Sequence, residues 1–239
     1  MSAQPTIDIV IPVYNEGENI LNVLNAFRDQ VRSGIRVLIC YDRDDDNTLK
    51  VLQNKSYPFE VVLVKNQGKF AHGAVVTGFY YNDSPAVISY MADDDYNAAA
   101  IDCMIDSFNK GSEVVVGSRF MPGGKMEGCR WYKALLVRIV AFTLHHFARL
   151  PIHDPTNAFR LFSRRLLNYI EIESSQGFTY SLELLVKCHR LGWEISEIPV
   201  QWFERQKGKS RFKVFKWARA YLSWYFYAFE TTYLRKKVL

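Results

Sequence analysis

Short apolar runs alternate along this chain with longer segments in which apolar residues recur every three or four positions. Apolar runs of about four to eight residues are typical of buried strands, and a period of about 3.6 residues indicates an amphipathic helix. The first pair is a predicted strand at 7–13 and a predicted helix at 19–31. The same alternation predicts further strands at 37–41, 59–64, 86–91 and 113–117, and helices near 48–53, 71–81 and 98–109.

This alternation predicts an α/β protein with a Rossmann-like, mostly parallel sheet flanked by helices, because strand–helix–strand units use right-handed crossovers. In such sheets, ligands bind beyond the carboxyl ends of the strands. The predicted strands end in polar residues, and we expect these residues to line one cleft. They are residues 14–16, 42–46, 65–66, 93–95 and 118–119.

Beyond residue 119 the pattern changes. Segment 132–150 is apolar at most positions, and such a helix either packs in the core or lies in a membrane interface. Residues 177–183 open another helix, and the alternation at 193–200 predicts an antiparallel strand. Aromatic residues are dense between 212 and 237, with basic residues at both ends, which predicts a C-terminal amphipathic aromatic helix at a membrane interface, a dimer contact or the edge of the core.

The length of 239 residues suits one large domain, and we place its boundary at 1–211, with 212–239 as the appended aromatic helix. The excess of 30 basic over 25 acidic residues is too small to predict nucleic acid as a partner. It suits an anionic small ligand or an anionic membrane surface. With no visible export signal and no uncharged run near the roughly 20 residues of a membrane span, we expect a cytoplasmic location.

The four cysteines lie far apart and include no CxxC pair. They predict buried or incidental thiols in a reducing compartment, and neither a disulfide framework nor a zinc site.

Asp93, Asp94 and Asp95 directly follow one of the predicted buried strands. Three adjacent carboxylates repel one another, and a hard divalent cation such as Mg²⁺ or Mn²⁺ would relieve that repulsion. A solvated acidic turn explains an isolated triplet equally well, so the choice between the two depends on the surrounding residues.

Six motifs occur here in the order seen in family 2 glycosyltransferases. They are Ile-Pro-Val-Tyr-Asn-Glu at 11–16, Asp42 with Asp-Asn-Thr at 46–48, the acidic triplet, Gly-Ser-Arg at 117–119, Asp-Pro-Thr-Asn-Ala-Phe-Arg at 154–160, and Arg-x-x-Gly-x-Ser at 205–210. The chain most resembles the dolichyl- or polyprenyl-phosphate mannosyltransferase-like branch, which has the GT-A fold, over residues 7 to 211. Two positions depart from the family pattern: the usual D-x-D reads Ala-Asp-Asp-Asp at 92–95, and Ala158 replaces a customary glycine.

For the sugar donor, the resemblance implies that Pro12, Tyr14, Glu16 and Asp42 hold the base and ribose. For Glu16 a helix-terminal charge is the alternative. Lys69 lies in a segment that opens a helix, whose backbone amides could face an anion, although an ordinary loop-to-helix junction is an equal alternative.

The resemblance also implies the metal site. The family spacing makes Asp93 the main ligand of Mg²⁺ or Mn²⁺ and Asp95 the second, with Asp94 facing the sugar. The cation would stabilise the charge that develops on the departing nucleoside diphosphate. Arg205 would pair with the diphosphate oxygens, whereas a solvated charge run is the usual explanation for such a basic loop.

For the acceptor, the resemblance implies that Arg119 and Lys133 neutralise a phosphate. Asp154 matches the acceptor-side aspartate of the family, with a turn or helix cap as the alternative. Glu183 is expected to orient Arg160 or to bind sugar hydroxyls.

These residues together imply an inverting enzyme that moves a sugar from a GDP- or UDP-sugar to a polyprenyl (dolichyl or undecaprenyl) phosphate. We expect it to be peripheral on the cytoplasmic face of a membrane, and a homodimer is possible. An acceptor phosphate is already anionic at neutral pH and needs no strong general base. The alternatives are transfer to a soluble or polysaccharide hydroxyl, a nucleotidyltransferase, and a non-catalytic protein that binds nucleotide sugars.

Overall fold

The structure is a computed structural model that describes residues 6–204 and 214–234. Within these residues the strands are β1 Ile7–Val13, β2 Ile35–Tyr41, β3 Glu60–Lys65, β4 Ala86–Ser89, β5 Val114–Ser118, β6 Lys125–Glu127, β7 Arg160–Ser163, β8 Ile195–Pro199 and β9 Gln201–Phe203. The helices are α1 Asn19–Gln30, α2 Asn47–Leu52, α3 Phe70–Tyr81, α4 Ala100–Asn109, α5 Trp131–His146, α6 Arg164–Tyr169, α7 Thr179–Leu191 and α8 Val214–Tyr233. The predicted boundary at 211 lies outside the described residues.

Seven strands form one sheet in the order β3-β2-β1-β4-β7-β5-β8. The pairs β1–β2, β2–β3, β1–β4 and β5–β8 are parallel, and β7 is antiparallel to both of its neighbours. The predicted α/β class and mostly parallel sheet are therefore confirmed. A separate ribbon consists of β6 and β9, which pair in parallel.

Two strand predictions need correction. The alternating segment at 193–200 contains β8, which runs parallel to β5 and not antiparallel to its neighbour. Because β8 is an edge strand, some of its side chains reach the surface. The alternation of apolar and polar residues results from this exposure and does not indicate the direction of the strand. The antiparallel strand is β7, which begins at Arg160, the last residue of the segment 154–160 that was interpreted from sequence as a polar turn.

Apolar side chains fill a layer on each face of the sheet. Along β1, Ile9 and Ile11 contribute to one layer and Val10 to the other, because successive side chains of a strand point to opposite faces. Helix α3 approaches β1 closely where Gly78 meets Val10, since a Cβ atom on residue 78 would lie 2.5 Å from a Val10 methyl carbon. The core thus fixes the carboxyl ends of β1, β2 and β4 beside one another.

Helix α8 packs against α7 and α5. The Lys187 Nζ lies 5.0 Å from the centre of the Trp224 ring, and the Tyr225 hydroxyl donates to Thr143 Oγ1 at 3.0 Å. Among the described helices, none combines the length and the apolar character needed to cross a membrane. In α5 only Ala141 and Leu144 are buried, so most of its apolar residues lie outside the core.

Candidate functional site

Residues at the start of α2 clamp the loop that follows β1. The Asp46 carboxylate accepts hydrogen bonds from the Asn15 amide at 3.1 and 2.9 Å, and Thr48 Oγ1 accepts one from the Glu16 amide at 3.0 Å. Asn15 adopts a positive φ of 53°, a conformation that asparagine tolerates better than most residues. The clamp fixes Tyr14 and Glu16 at the carboxyl end of β1, as the sequence predicted. Pro12 is half-buried within the same strand.

A shallow pocket lies beside this loop. Its lining residues are Tyr14, Asn15, Arg43, Asp45 and Asp46. Arg43 binds Asp45 through Nε at 2.7 Å and through a terminal nitrogen at 2.6 Å, and both side chains are well exposed. Asp45 therefore belongs to the solvated rim of the pocket.

Asn66 organises the next strand end and connects it to Asp42. Its amide nitrogen donates to the Asp42 carboxylate, and its amide oxygen accepts from the Gly68 amide at 2.7 Å. Gly68 and Gly73 pack backbone against backbone, since a Cβ on Gly68 would lie 2.8 Å from the Gly73 Cα. Lys69 is exposed at the N-terminus of α3. Asn66 therefore links Asp42, which follows β2, to the short loop between β3 and α3 that contains Lys69.

The three aspartates after β4 have different environments. Asn97 donates to the Asp94 carboxylate from its backbone at 3.1 Å and from its side chain at 2.9 and 2.8 Å. Burial raises the pKa of Asp94 to about 7, although the Asn97 hydrogen bonds oppose this shift. Asp93 is half-buried and Asp95 is exposed. Asp94 is half-buried like Asp93, and its carboxylate supports the loop through Asn97, while its contact with the sugar stays a prediction.

The acidic loop, residues 93–95, suits a cation that is bound jointly by protein carboxylates and substrate phosphate oxygens better than a cation bound by protein ligands alone. Within residues 6–204 and 214–234, no group of three or more His, Cys, Asp or Glu side chains could hold a metal ion. Mg²⁺ in nucleotide sites uses one or two protein carboxylates and fills its remaining positions with water and phosphate oxygens. Asp93 and Asp95 satisfy that requirement.

Arg119 and Asp154 form an enclosed ion pair on the other side of the acidic loop. Asp154 accepts from the Arg119 backbone amide at 3.0 Å, from Nε at 2.6 Å and from a terminal nitrogen at 3.0 Å. The Asp154 side chain is fully buried. Burial opposes ionisation, but the Arg119 charge and its hydrogen bonds prevail and lower the pKa of Asp154 below its ordinary value.

The predicted contact between Glu183 and Arg160 is replaced by other partners. Glu183 accepts from the amides of Glu173 and Ser174 at 2.7 and 2.9 Å and from Lys187 Nζ at 2.8 Å. Fully buried Arg160 donates instead to two backbone carbonyl groups, and burial lowers its pKa to about 10. Glu183 therefore anchors the segment before α7.

A second arginine near Arg119 was not predicted as a site residue. The guanidinium carbons of Arg119 and Arg138 each lie 5.2 Å from the centre of the Phe120 ring, a cation–π distance. Lys133 lies in the first turn of α5, and Arg138 lies further along the same helix. The Phe120 ring thus brings Arg119, which follows β5, close to Arg138 of α5. The sequence signal was a basic residue, Arg138, in the middle of the apolar stretch 134–142 of α5.

The remaining predicted site residue, Arg205, lies outside the described residues, as does the rest of the basic loop at 205–211. The other predicted residues fall into two groups. In the first group, Pro12 lies within β1, and Tyr14, Glu16, Asp42 and Lys69 follow β1 to β3. The second group, Arg119, Lys133 and Asp154, lies between the end of β5 and the start of β7. Asp93 and Asp95 follow β4, which lies between these groups in the sheet.

Comparison with known families gives one match over most of the chain. The sequence profile of "Glycosyl transferase family 2" matches residues 8–170. In solved structures, the fold is similar to that of glucosyl-3-phosphoglycerate synthase from Mycobacterium tuberculosis in complex with Mn²⁺ and UDP. That likeness has a TM-score of 0.69 and 15% identity and covers 95% of this chain and 80% of the other. It confirms the GT-A fold predicted from sequence.

Curated relatives match over most of the chain as well. A "Polyprenol monophosphomannose synthase" of Mycolicibacterium smegmatis is 23% identical over 227 residues, which cover 87% of this chain and 85% of the relative. A "Dolichyl-phosphate hexose transferase" of Haloferax volcanii is 29% identical and covers 82% of each chain. A "Dolichol-phosphate mannosyltransferase" of Pyrococcus furiosus is 26% identical over 87% of this chain, but over only 59% of its own length.

Proposed function

The chain belongs to glycosyl transferase family 2, and from that premise we propose that it transfers a sugar from a nucleotide-sugar donor to a polyprenyl phosphate. The relatives from Mycolicibacterium, Haloferax and Pyrococcus, whose names specify polyprenol- or dolichyl-linked sugar transfer, support this acceptor class. Either a GDP-sugar or a UDP-sugar is compatible with the proposal.

The environment of Asp154 is the observation that carries the choice of acceptor. A hydroxyl acceptor must lose a proton during transfer, and it therefore needs a general base whose pKa is near neutral. Asp154, the acceptor-side carboxylate that would have to act as this base, is buried in its ion pair with Arg119, and its pKa is lowered. A phosphate monoester is already anionic at neutral pH and needs no such base. Asp94, whose pKa is about 7, is the other carboxylate to consider, but both of its oxygens accept hydrogen bonds from the Asn97 side chain. The site therefore suits a phosphate acceptor better than a hydroxyl.

In the proposed reaction, an acceptor phosphate oxygen forms a bond to the anomeric carbon while the bond from that carbon to the diphosphate oxygen breaks. One in-line displacement of this kind inverts the anomeric configuration and passes through an oxocarbenium-like transition state. Arg119, Lys133 and Arg138 supply positive charge for the acceptor phosphate. Arg205 is proposed to pair with the diphosphate.

The donor is proposed to bind along the ends of β1 to β3, with Tyr14, Glu16 and Asp42 toward the nucleoside. Asp93 and Asp95 would hold Mg²⁺ or Mn²⁺ together with the diphosphate. When bound, this cation supplies Lewis-acid stabilisation of the leaving group. Asp94 stabilises the conformation of the loop by accepting hydrogen bonds from Asn97.

We also propose peripheral contact with the cytoplasmic face of a membrane. The α5–α8 face is the set of large apolar side chains on these two helices that are 46 to 77% exposed: Trp131, Tyr132, Leu135, Leu136, Ile139, Phe142, Leu222, Phe226 and Tyr233. Exposed Arg138 lies on α5 with most of this apolar set, and exposed Arg130 directly precedes that helix. Aromatic and basic side chains next to an apolar face are typical of helices that lie in a bilayer interface. Such contact would bring a lipid-linked phosphate to Arg119.

The test is an assay with radiolabelled GDP- and UDP-sugars, a divalent metal and two lipids of equal chain length, a polyprenyl phosphate and the corresponding polyprenol. We expect labelled lipid only with the phosphate, together with release of nucleoside diphosphate. Transfer to the polyprenol or to a soluble sugar would favour a hydroxyl acceptor. Release of pyrophosphate would indicate a nucleotidyltransferase, and binding without turnover would indicate a non-catalytic protein. The homodimer stays a prediction, to be checked by sedimentation velocity.

A further inference from the structure

One buried side chain joins the acidic loop to the β6–β9 ribbon. Asn97, which is 5% exposed, donates from its side chain to the Asp94 carboxylate and to the Gln201 carbonyl at 2.8 Å. Its amide oxygen accepts from the Gln201 backbone amide at 2.9 Å. A single amide therefore binds two segments that are 104 residues apart in sequence.

A second contact next to Asn97 joins the same two segments. The rings of Tyr96 and Phe203 meet edge to face with their centres 5.0 Å apart, and the Phe203 amide donates to the Tyr96 hydroxyl at 3.4 Å. Two neighbouring residues of the acidic loop thus contact two of the three residues of β9.

The ribbon continues toward the cations of the acceptor side. β9 pairs with β6 in the register Lys125 to Gln201, and the Glu204 amide extends the pairing by donating to the Glu127 carbonyl at 3.1 Å. After β6, the chain reaches the start of α5, where Lys133 lies. Any movement of the ribbon relative to the acidic loop would therefore change the separation between the two halves of the site.

We propose that Asn97 is a positioning residue. Through the β6–β9 ribbon, it holds Asp93 and Asp95 at a fixed distance from the cations assigned to the acceptor phosphate, Arg119 and Lys133. The proposal rests on the proposed function, because it assigns these aspartates to the donor diphosphate. Asn97 itself contacts Asp94 and Gln201, and it acts on the reaction only through the loop that it fixes.

The chemistry of the amide explains why this position requires asparagine. Of the short side chains, only the amide of asparagine offers two N–H donors and a carbonyl acceptor together. An aspartate at position 97 would keep the acceptor for the Gln201 amide, but it would place a second carboxylate beside Asp94. An alanine would leave the Gln201 backbone groups and the half-buried Asp94 carboxylate without these partners, which costs free energy because the Asn97 side chain excludes water from this position.

The experiment compares Asn97→Ala and Asn97→Asp with a control, Asn82→Ala. Asn82 is 6% exposed, and its side chain also binds backbone groups, accepting from the Ser84 amide at 3.1 Å. It precedes β4, whereas Asn97 follows β4, so the two residues lie beyond opposite ends of this strand. All three variants are measured for urea stability, kcat and KM for donor and acceptor. Hydrogen exchange is measured for the peptides that contain residues 91–97 and 201–204.

We expect Asn97→Ala to lower kcat by about 10- to 100-fold, since displacements near 1 Å in a catalytic site have effects of this size. Exchange should rise in both peptides at once, and Asn97→Asp should raise it in the same two peptides. Asn82→Ala should lose comparable stability, yet keep kcat within about twofold and leave both peptides protected.

Three results would overturn the proposal: an unchanged kcat in Asn97→Ala, a rise in exchange in only one of the two peptides, or equal losses of kcat in Asn97→Ala and Asn82→Ala. If Asn97→Ala does not fold, Asn97→Asp carries the same comparison. The exchange measurement needs no substrate. A wild-type protein without transferase activity would therefore refute the proposed function separately from the link between the two segments.

Discussion

Arg119 and Asp154 form an ion pair in which one carboxylate receives three hydrogen bonds from a single arginine, two from its guanidinium and one from its backbone. The pair joins the end of β5 to the segment before β7. Both side chains are enclosed, with the Arg119 side chain 10% exposed and that of Asp154 not exposed. The pair therefore fixes the orientation of a guanidinium that we assign to the acceptor phosphate.

The first prediction concerns the stability of this pair. Removing one partner of a buried pair leaves the other charge uncompensated, and Asp154→Ala should lower the free energy of unfolding by about 3 to 5 kcal/mol. Asp44→Ala, which breaks the exposed pair with Lys65, should cost less than about 1 kcal/mol. Urea denaturation of both variants measures the difference. Equal losses would show that the Arg119–Asp154 pair is not the enclosed contact described above.

The second prediction concerns pH and the buried residue His72. It is 7% exposed beside Ser174 and Tyr180, and burial lowers its pKa below the usual 6.5, although the charge of Glu183 opposes the shift. The unfolded chain therefore gains a proton on His72 at a higher pH than the folded protein. Neutral His72 therefore contributes its full share to the free energy of unfolding above pH 6.5. This contribution is lost as the pH falls below 6.5 and through the lower pKa of His72 in the folded protein.

His72→Gln should accordingly weaken the loss of stability between pH 7.5 and 5.5, by up to about 1 kcal/mol. His146→Gln, at an exposed position, is the control and should leave the pH profile unchanged. Urea midpoints at the two pH values are the measurement. A profile of His72→Gln that matches the wild type would contradict the prediction.

Much of the fold follows from local sequence. The apolar run at 7–13 placed β1, whose side chains enter both core layers, and the 3.6-residue period of 19–31 placed α1, which buries one face. β7 was missed because its first residue is arginine, and the burial of Arg160 depends on carbonyl groups of residues 155 and 181. No local pattern contains that information.

The position of the candidate residues at the strand ends was predictable from sequence, but the contacts among them were not. Polar strand ends identified Asp42, the acidic triplet and Arg119 because parallel strands share one edge. Three consecutive aspartates look alike in sequence, however, and their environments differ because Asn97 binds both Asp94 and Gln201. The partners of Asp154 and Glu183 likewise come from distant segments or from backbone groups.

The third prediction tests the role of Arg138. A charged hydrogen bond to a phosphate contributes about 1.5 to 3 kcal/mol, and Arg138→Gln should therefore raise KM for the polyprenyl phosphate by about tenfold or more. KM for the nucleotide sugar should stay within about twofold. Arg32→Gln, an exposed arginine before β2, is the control. Equal increases in both KM values would place Arg138 outside the acceptor site.

The fourth prediction tests the α5–α8 face. Phe142 is 55% exposed, and Phe142→Asp adds a charge to a surface that we assign to the bilayer interface, where charged side chains are unfavourable. We expect at least a fivefold loss of binding to liposomes that contain acidic lipids. Tyr80→Asp is the matched control, since Tyr80 is 76% exposed on α3. Equal sedimentation of the two variants would count against membrane contact through this face.

The fifth prediction concerns the acidic loop and its cation. If Asp93 and Asp95 hold a metal with the donor diphosphate, EDTA should abolish transfer, and added Mn²⁺ or Mg²⁺ should restore it. Asp93→Asn should lower kcat/KM by at least 100-fold, because loss of the carboxylate weakens the binding of the cation and, with it, the binding of the diphosphate that the cation stabilises. Asp44→Asn, at an exposed aspartate outside the loop, should retain activity. Calorimetric titration with nucleoside diphosphate and Mn²⁺ should show weaker binding to Asp93→Asn. Full transfer in the presence of EDTA, or unaltered binding in that variant, would refute a metal at this loop.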